Sequence, residues 1–245
     1  MGSITGSICM TEKFDLSFYK EHPKTCDPDD FWGQVKRTVN GKPIAQEQID
    51  MIVDAVCRGL ALSPDDTLLD LCCGNGALTT YFFEKCSGGV GVDFSEPLIT
   101  VAHRHFVKRP QEKFILQDVV GFVNTYEAPE RFTKALCYGS FMFLPKQTAY
   151  TLLKSLGLRF QCIKKLYIGN LPDKSKMSEF FADKEYTQGI ENDPGAPIGI
   201  WRMENEFIDL AGKTGWHVEL FRMPEQFYAA HYRFDAILTP LNIQE

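Results

Sequence analysis

Apolar positions along this chain fall into two alternating rhythms. From Gln46 to Leu60, Ile49, Ile52, Val53 and Val56 recur at helical spacing, which predicts an amphipathic helix closed by Ser63-Pro64-Asp65-Asp66. TLLDL (67–71) is a short apolar run and predicts a buried strand. Residues 77–86 then have helical character, and GGVGVDF (88–94) predicts a second strand. Residues 96–109 predict a helix, with Pro97 tolerated in its first turn. KFILQDV (113–119), RFTKALCYG (131–139) and KKLYIGN (164–170) predict strands three to five, with GFVNTYEAPE as a connector and a helix over 146–160. Strands alternating with helices predict a parallel sheet covered on both faces.

The pattern changes after Asn170. Residues 171–200 are polar and rich in Pro, Gly and Asp, too long for a plain connector. A helix is expected over 203–214. WHVELFRMP (216–224) and HYRFDAILTP (231–240) follow with no helix-length segment between them, as an antiparallel pair closing the sheet would. Before Gln46, Pro23, Pro28 and Pro43 divide residues 11–45 into short aromatic pieces, and Asn40-Gly41 marks a turn.

Composition narrows the function classes. The 245 residues suit one large domain, and 44% apolar with 24% charged residues is ordinary for a globular protein. A net charge of −6 argues against a nucleic-acid partner, which needs a basic face. No apolar run approaches the roughly 18 to 20 residues of a membrane span. MGSITGSICMTEKF lacks the marks of a secretory signal, so residues 1–10 are expected to be a disordered leader and the protein cytoplasmic. The eight cysteines (9, 26, 57, 72, 73, 86, 137 and 162) form no C-x-x-C pair and no zinc spacing; reduced thiols and no metal are expected.

The chemistry concentrates in LLDLCCGNGALTTYFF (68–83). A dinucleotide turn has three glycines; Gly74 and Gly76 supply two and the third is missing. Asp70 precedes the turn at the strand end. Its carboxylate would repel a pyrophosphate and attract an ammonium, which favours S-adenosylmethionine over NAD; a turn or capping role is the alternative. Asp93, ending the second strand, can accept both ribose hydroxyls of either cofactor. Gln117-Asp118 can meet the adenine amine, with the Val119 N–H on the ring, or else Asp118 starts a helix.

DLCCGNG, GVDFS and QDV, at the ends of strands one, two and three, together resemble the class I S-adenosylmethionine-dependent methyltransferases over roughly residues 45–240. The family's usual E/D-x-G-x-G appears here as D-x-C-C-G-N-G. The resemblance implies an α/β fold: a seven-stranded Rossmann-like sheet, mostly parallel with the last strand antiparallel, and helices on both faces. An N-terminal helical lid (11–45) and an insert after strand five (171–200) flank the methyltransferase domain of 46–245. It implies a cofactor site of Asp70, Cys72, Gly74, Asn75, Gly76, Asp93, Phe94, Ser95, Gln117, Asp118, Val119 and Tyr138.

In that family the end of the fourth strand runs beside the transferred methyl, so Tyr138, Ser140 and Phe141 are candidates to line the site, with helix packing an equal alternative for Phe141. Trp32, Arg37, Asn170, Trp201, Tyr232 and Arg233 are further acceptor-binding candidates, and Tyr186 and Arg202 lie on or beside the insert. Arg37 could pair with the cofactor carboxylate, with an acidic acceptor, or with neither. His231 is a candidate general base and Tyr138 a second catalytic candidate; a structural histidine is the alternative. No Asn/Asp-Pro-Pro-Tyr/Phe and no acid follow strand four, unlike base-amino, aminopropyl and metal-dependent catechol-type enzymes. FWGQVKRTVNGKP, NLPDKSKMSEFF and FYAAHYRFD are similar to a small-molecule subgroup of natural-product and saccharide pathways. The expected reaction is therefore metal-independent methyl transfer to an N or O nucleophile of a small acceptor. A non-catalytic cofactor-binding regulator or a protein methyltransferase are the alternatives.

Overall fold

The computed structural model describes residues 17–182 and 184–241; the expected leader, the first residues of the 11–45 segment and residues 242–245 lie outside them. Seven strands form one sheet: β1 (Leu68–Leu71), β2 (Gly89–Asp93), β3 (Glu112–Leu116), β4 (Lys134–Tyr138), β5 (Lys165–Pro172), β6 (Trp216–Phe221) and β7 (Arg233–Pro240). Their order is 3-2-1-4-5-7-6. β1 to β5 pair in parallel, and β7 runs antiparallel between β5 and β6. The seven-stranded expectation is met, and β7 is the antiparallel strand.

Nine helices accompany the sheet among the described residues: α1 (Ser17–Thr25), α2 (Phe31–Gln34), α3 (Gln46–Leu60), α4 (Thr79–Phe83), α5 (Glu96–His105), α6 (Val119–Thr125), α7 (Lys146–Arg159), α8 (Met177–Phe180) and α9 (Glu204–Lys213). Side chains alternate along each strand and divide the core in two. Leu69, Leu71, Ala135, Cys137, Leu166 and Ile168 pack with α6, α7 and α9. Leu68, Leu136, Tyr138 and Tyr167 face the other way, with Ile49, Ile52, Val53 and Val56 of α3. Two glycines allow close approach on that second face. A side chain at Gly59 would lie 2.8 Å from the Tyr167 ring, and one at Gly169 would lie 2.3 Å from the Tyr138 ring.

Four expectations need correction. Residues 121–130 are not merely a connector, because α6 occupies Val119–Thr125. Its start is capped by Asp118, whose Oδ1 accepts from Val120 N–H at 3.0 Å and Gly121 N–H at 2.9 Å. β3 therefore ends at Leu116, ahead of Gln117 and Asp118. The last strand starts at Arg233, leaving His231 and Tyr232 on the turn before it. α4 is half the length expected, since the chain turns again after Phe83.

Candidate active site

The sheet order reverses between β1 and β4, and such a switch point opens a crevice at the carboxyl ends of the strands. Three of those ends turn through left-handed backbone: Cys72 (φ +60°) after β1, Gly139 (φ +75°) after β4 and Asn170 (φ +68°) within β5. Glycine adopts this conformation freely; Cys72 and Asn170 hold it at a cost of about 1–2 kcal/mol each. Cys72 occupies the place of the family's first glycine, so the departure from the motif keeps the turn and adds strain.

On the β1–β2 side the chain satisfies most of its own polar groups, although Thr80 Oγ1 is buried without a bond. Asp93 Oδ2 accepts from Gly74 N–H at 2.9 Å, and Oδ1 accepts from Ser95 N–H at 2.9 Å. Burial pushes the Asp93 carboxyl up to about 6 despite these bonds. Asp70, 5% exposed, accepts from the Thr79 hydroxyl at 2.6 Å through Oδ2. Burial raises Asp70 to about 7, with Asp93 adding to the rise and Thr79 and Arg37 opposing it. Its Oδ1 takes no hydrogen bond from the described residues.

The N-terminal segment is fastened to this turn. Asn75 Nδ2 donates to Phe31 O at 2.8 Å and to Gln34 Oε1 at 2.9 Å. Ser95 Oγ donates to Tyr19 O at 2.8 Å. Val35 covers Gly74 so closely that a Cβ there would meet it at 2.9 Å. Burial raises the Tyr19 phenol, with Arg233 opposing the rise and Asp93 adding to it, so Tyr19 sits between the two sides of the crevice. Tyr19, Gln34 and Val35 were not among the sequence candidates; nothing in the local pattern ties them to a loop forty residues away.

The β4–β5–β7 side is different. Tyr138, Asn170 and Arg233 are all buried, at 5%, 9% and 8% exposure. Tyr138 Oη, Asn170 Oδ1, Arg37 Nε and Arg233 Nε are buried and make no hydrogen bond. The Arg37 guanidinium carbon lies 5.2 Å from the centre of the Tyr138 ring. Above Gly139, Arg37 Nη2 and Asn170 Nδ2 each come within 3.7 Å of the point a Cβ would occupy. Tyr228, on the turn before β7, has its backbone N–H held by Gln48 Oε1 at 2.8 Å; burial raises its phenol, with Arg37 and Arg233 opposing the rise. The sequence offered FYAAHYRFD but no reason to choose Tyr228 from it.

Several candidates lie elsewhere. Phe141 is fully buried against Phe207 at 5.7 Å and belongs to the α7–α9 core. Trp201 is 2% exposed, stacked with Phe180 at 5.2 Å and Tyr232 at 5.7 Å. Trp201 and Tyr232 thus anchor the 171–200 segment rather than face the crevice. Trp32 lines a cavity of about 330 Å³ beside α4 with Phe31, Tyr81 and Phe106. Tyr186 lines one of about 260 Å³ with Met177 and Phe181. Arg202 is bonded to Leu144 O at 2.7 Å over the Phe141 ring. His231 is exposed, its ring 4.7 Å from Tyr232, and makes no bond to a crevice residue; this position offers it no proton to take. Burial holds the Tyr138 phenol well above its usual range, which keeps it a neutral donor instead of a base.

Against known proteins, residues 68–157 match a family model described as a methyltransferase domain. That segment resembles a methyltransferase domain, and the sheet has the Rossmann-like form. No curated protein matches the chain. Among solved structures, it is similar to magnesium protoporphyrin IX methyltransferase from Synechocystis PCC 6803 with bound SAM. That match has 15% identity and a TM-score of 0.58, covering 92% of both chains. The cyclopropane synthase MmaA2 from Mycobacterium tuberculosis gives 13% identity and a TM-score of 0.62, over 92% of this chain and 99% of that one. The DhpI-SAM-HEP complex gives 14% and 0.62, over 92% and 95%. At these identities the likeness is one of fold.

Proposed function

We propose that this protein transfers a methyl group from S-adenosylmethionine to an N or O nucleophile on a small-molecule acceptor, in a biosynthetic pathway. The observation that carries the reading is Asp70: a buried acid with an uncommitted oxygen, beside a two-glycine turn, at the switch point of a class I sheet. A pyrophosphate there would face a second negative charge. An α-ammonium is the group such an acid suits.

In this reading Asp70 pairs with the ammonium of the methionine half, and Arg37, whose charge already acts on Asp70, pairs with its carboxylate. Cys72, Gly74, Asn75 and Gly76 form the turn beneath that tail. Asp93 keeps a lone pair on each oxygen for the ribose hydroxyls, between Phe94 and Ser95. Asp118 Oδ1 caps α6, which leaves Oδ2 and the Val119 N–H for the adenine edge, with Gln117 alongside. The segment that includes Tyr19 and Val35 acts as a lid, and residues 171–200 bound the acceptor side.

When bound, the sulfonium supplies an electrophilic methyl group. The chain's own contribution is placement: the β4 and β5 ends hold the acceptor's lone pair in line and keep water out. Orientation of this kind contributes on the order of 7–11 kcal/mol. Neither His231 nor Tyr138 is needed as a base for an acceptor that presents a neutral amine or an already ionised oxygen.

Incubation with labelled S-adenosylmethionine and a metabolite panel tests the reading. Label in a small acceptor, with S-adenosylhomocysteine formed in step, is the expected result. Tight cofactor binding with no transfer to any acceptor would point instead to a regulatory binder.

A further inference from the structure

We infer that the acceptor carries an oxyanion, a carboxylate or a phosphate, and that Arg233 binds it with the hydroxyl of Tyr138. The inference rests on the methyl-transfer reading and adds the acceptor's charge.

Arg233 is the first residue of β7 and is 8% exposed. Its Nη1 donates to Asn170 O, and its guanidinium carbon lies 4.8 Å from the centre of the Tyr232 ring. Its Nε is buried and bonds to nothing. No carboxylate among the described residues lies within 4.0 Å of it. Asp235 is the acid nearest in sequence; its charge and that of Arg233 act on each other, but its oxygens are bonded to the Tyr167 hydroxyl at 2.6 Å and Asn170 N–H at 2.5 Å and make no contact with the guanidinium. A buried guanidinium with no carboxylate in contact and an unbonded N–H is left to be satisfied by a bound anion.

Charge counting then separates cofactor from acceptor. Two guanidinium groups reach the crevice: the half-buried Arg37, 5.2 Å from the Tyr138 ring, and the buried Arg233, bonded to Asn170 O. A third, Arg202, lies over Phe141 with the charge of Glu206 acting on it. The cofactor tail brings one carboxylate, and Arg37 is the arginine whose charge acts on Asp70. Arg233 is left, with the Tyr138 hydroxyl unpartnered nearby. Burial raises the Tyr138 phenol, so it stays a protonated donor, as an oxyanion requires. Asn170 Oδ1, also unpartnered, is an acceptor; it suits an N–H or O–H on the same molecule.

The test uses inorganic phosphate and acetate, titrated calorimetrically into the full chain loaded with S-adenosylhomocysteine. Saturable binding of either anion is expected, weakened about 10- to 100-fold in Arg233→Gln and partly restored in Arg233→Lys, with cofactor affinity unchanged. In turnover, carboxylates and phosphates should be methylated where their neutral amides and esters are not. Because Arg233 also bonds to Asn170 O, Tyr138→Phe, which removes an unpartnered hydroxyl, serves as a second variant and should weaken the anion with little change in melting temperature. Equal anion affinity in wild type and variants, no anion binding at all, or equal turnover of the neutral analogues would overturn the inference. Loss of cofactor binding by the wild type would instead sink the methyltransferase reading itself.

Discussion

On the β1–β2 side of the crevice, Asp93 holds two backbone N–H groups and Asn75 is tied to Phe31 and Gln34. On the β4–β5–β7 side, four polar atoms of Arg37, Tyr138, Asn170 and Arg233 are buried without a bond. The first side is a frame whose geometry the protein maintains alone. The second is a set of groups whose hydrogen-bonding capacity the described residues leave unfilled. A preorganised frame suits a ligand common to many enzymes, and unpaired polar groups are what discriminates among acceptors, because a wrong ligand leaves them unsatisfied.

That contrast can be broken or sharpened by experiment. The largest effect is expected for Phe141→Ala, which tests where the acceptor side ends and the core begins. As a core residue it should cost about 3–5 kcal/mol, or roughly 6–20 °C in melting temperature; an unchanged melting temperature would return Phe141 to the site. Next, Asp93→Ala removes the centre of the prebuilt side. Calorimetry should show cofactor binding weakened about 10- to 150-fold, from about 1.5–3 kcal/mol. Unchanged affinity would refute the ribose assignment.

A smaller effect comes from Asp70, whose carboxyl titrates near 7. The folded value lies above the ordinary one, so the unliganded protein holds a proton that the unfolded chain releases. The stability this contributes is complete below about pH 4 and is lost as pH rises through 7. Binding an ammonium requires the ionised form. Cofactor affinity should therefore rise between about pH 5.5 and 7.5, by up to about tenfold per pH unit, and Asp70→Asn should flatten that dependence. An identical pH profile in the variant would exclude the pairing. The smallest effect belongs to Tyr138→Phe. It removes an unpartnered hydroxyl, so stability should change by less than about 1 kcal/mol, while kcat/KM falls. A clear loss of stability would mean that the hydroxyl is already satisfied within the protein.

The strand ends bearing Asp70 and Asp93 were legible because each rests on local signals: an apolar run, then an acid, then glycines or a helix start. The same signals ran the third strand on through Gln117 and Asp118, since an acid after an apolar run also caps a helix, the alternative that α6 adopts. They also credited Trp201 and Tyr232 with a site role that their aromatic stacking with Phe180 explains. Periodicity marks a residue as apolar-facing; it does not say which partner lies opposite.

By itself the sequence determined the alternation of strand and helix, the switch-point turn and the acids around it. Each of these depends on residues within a few positions of one another. Only the tertiary structure decided that Val35 covers the glycine turn and Ser95 holds Tyr19, and that Arg37, Tyr138, Asn170 and Arg233 meet at one end of the sheet. Those residues span nearly two hundred positions, and what unites them is the order in which the strands pair. Whether an arginine is buried and unpaired depends on every neighbour the fold brings to it, and no local pattern carries that information.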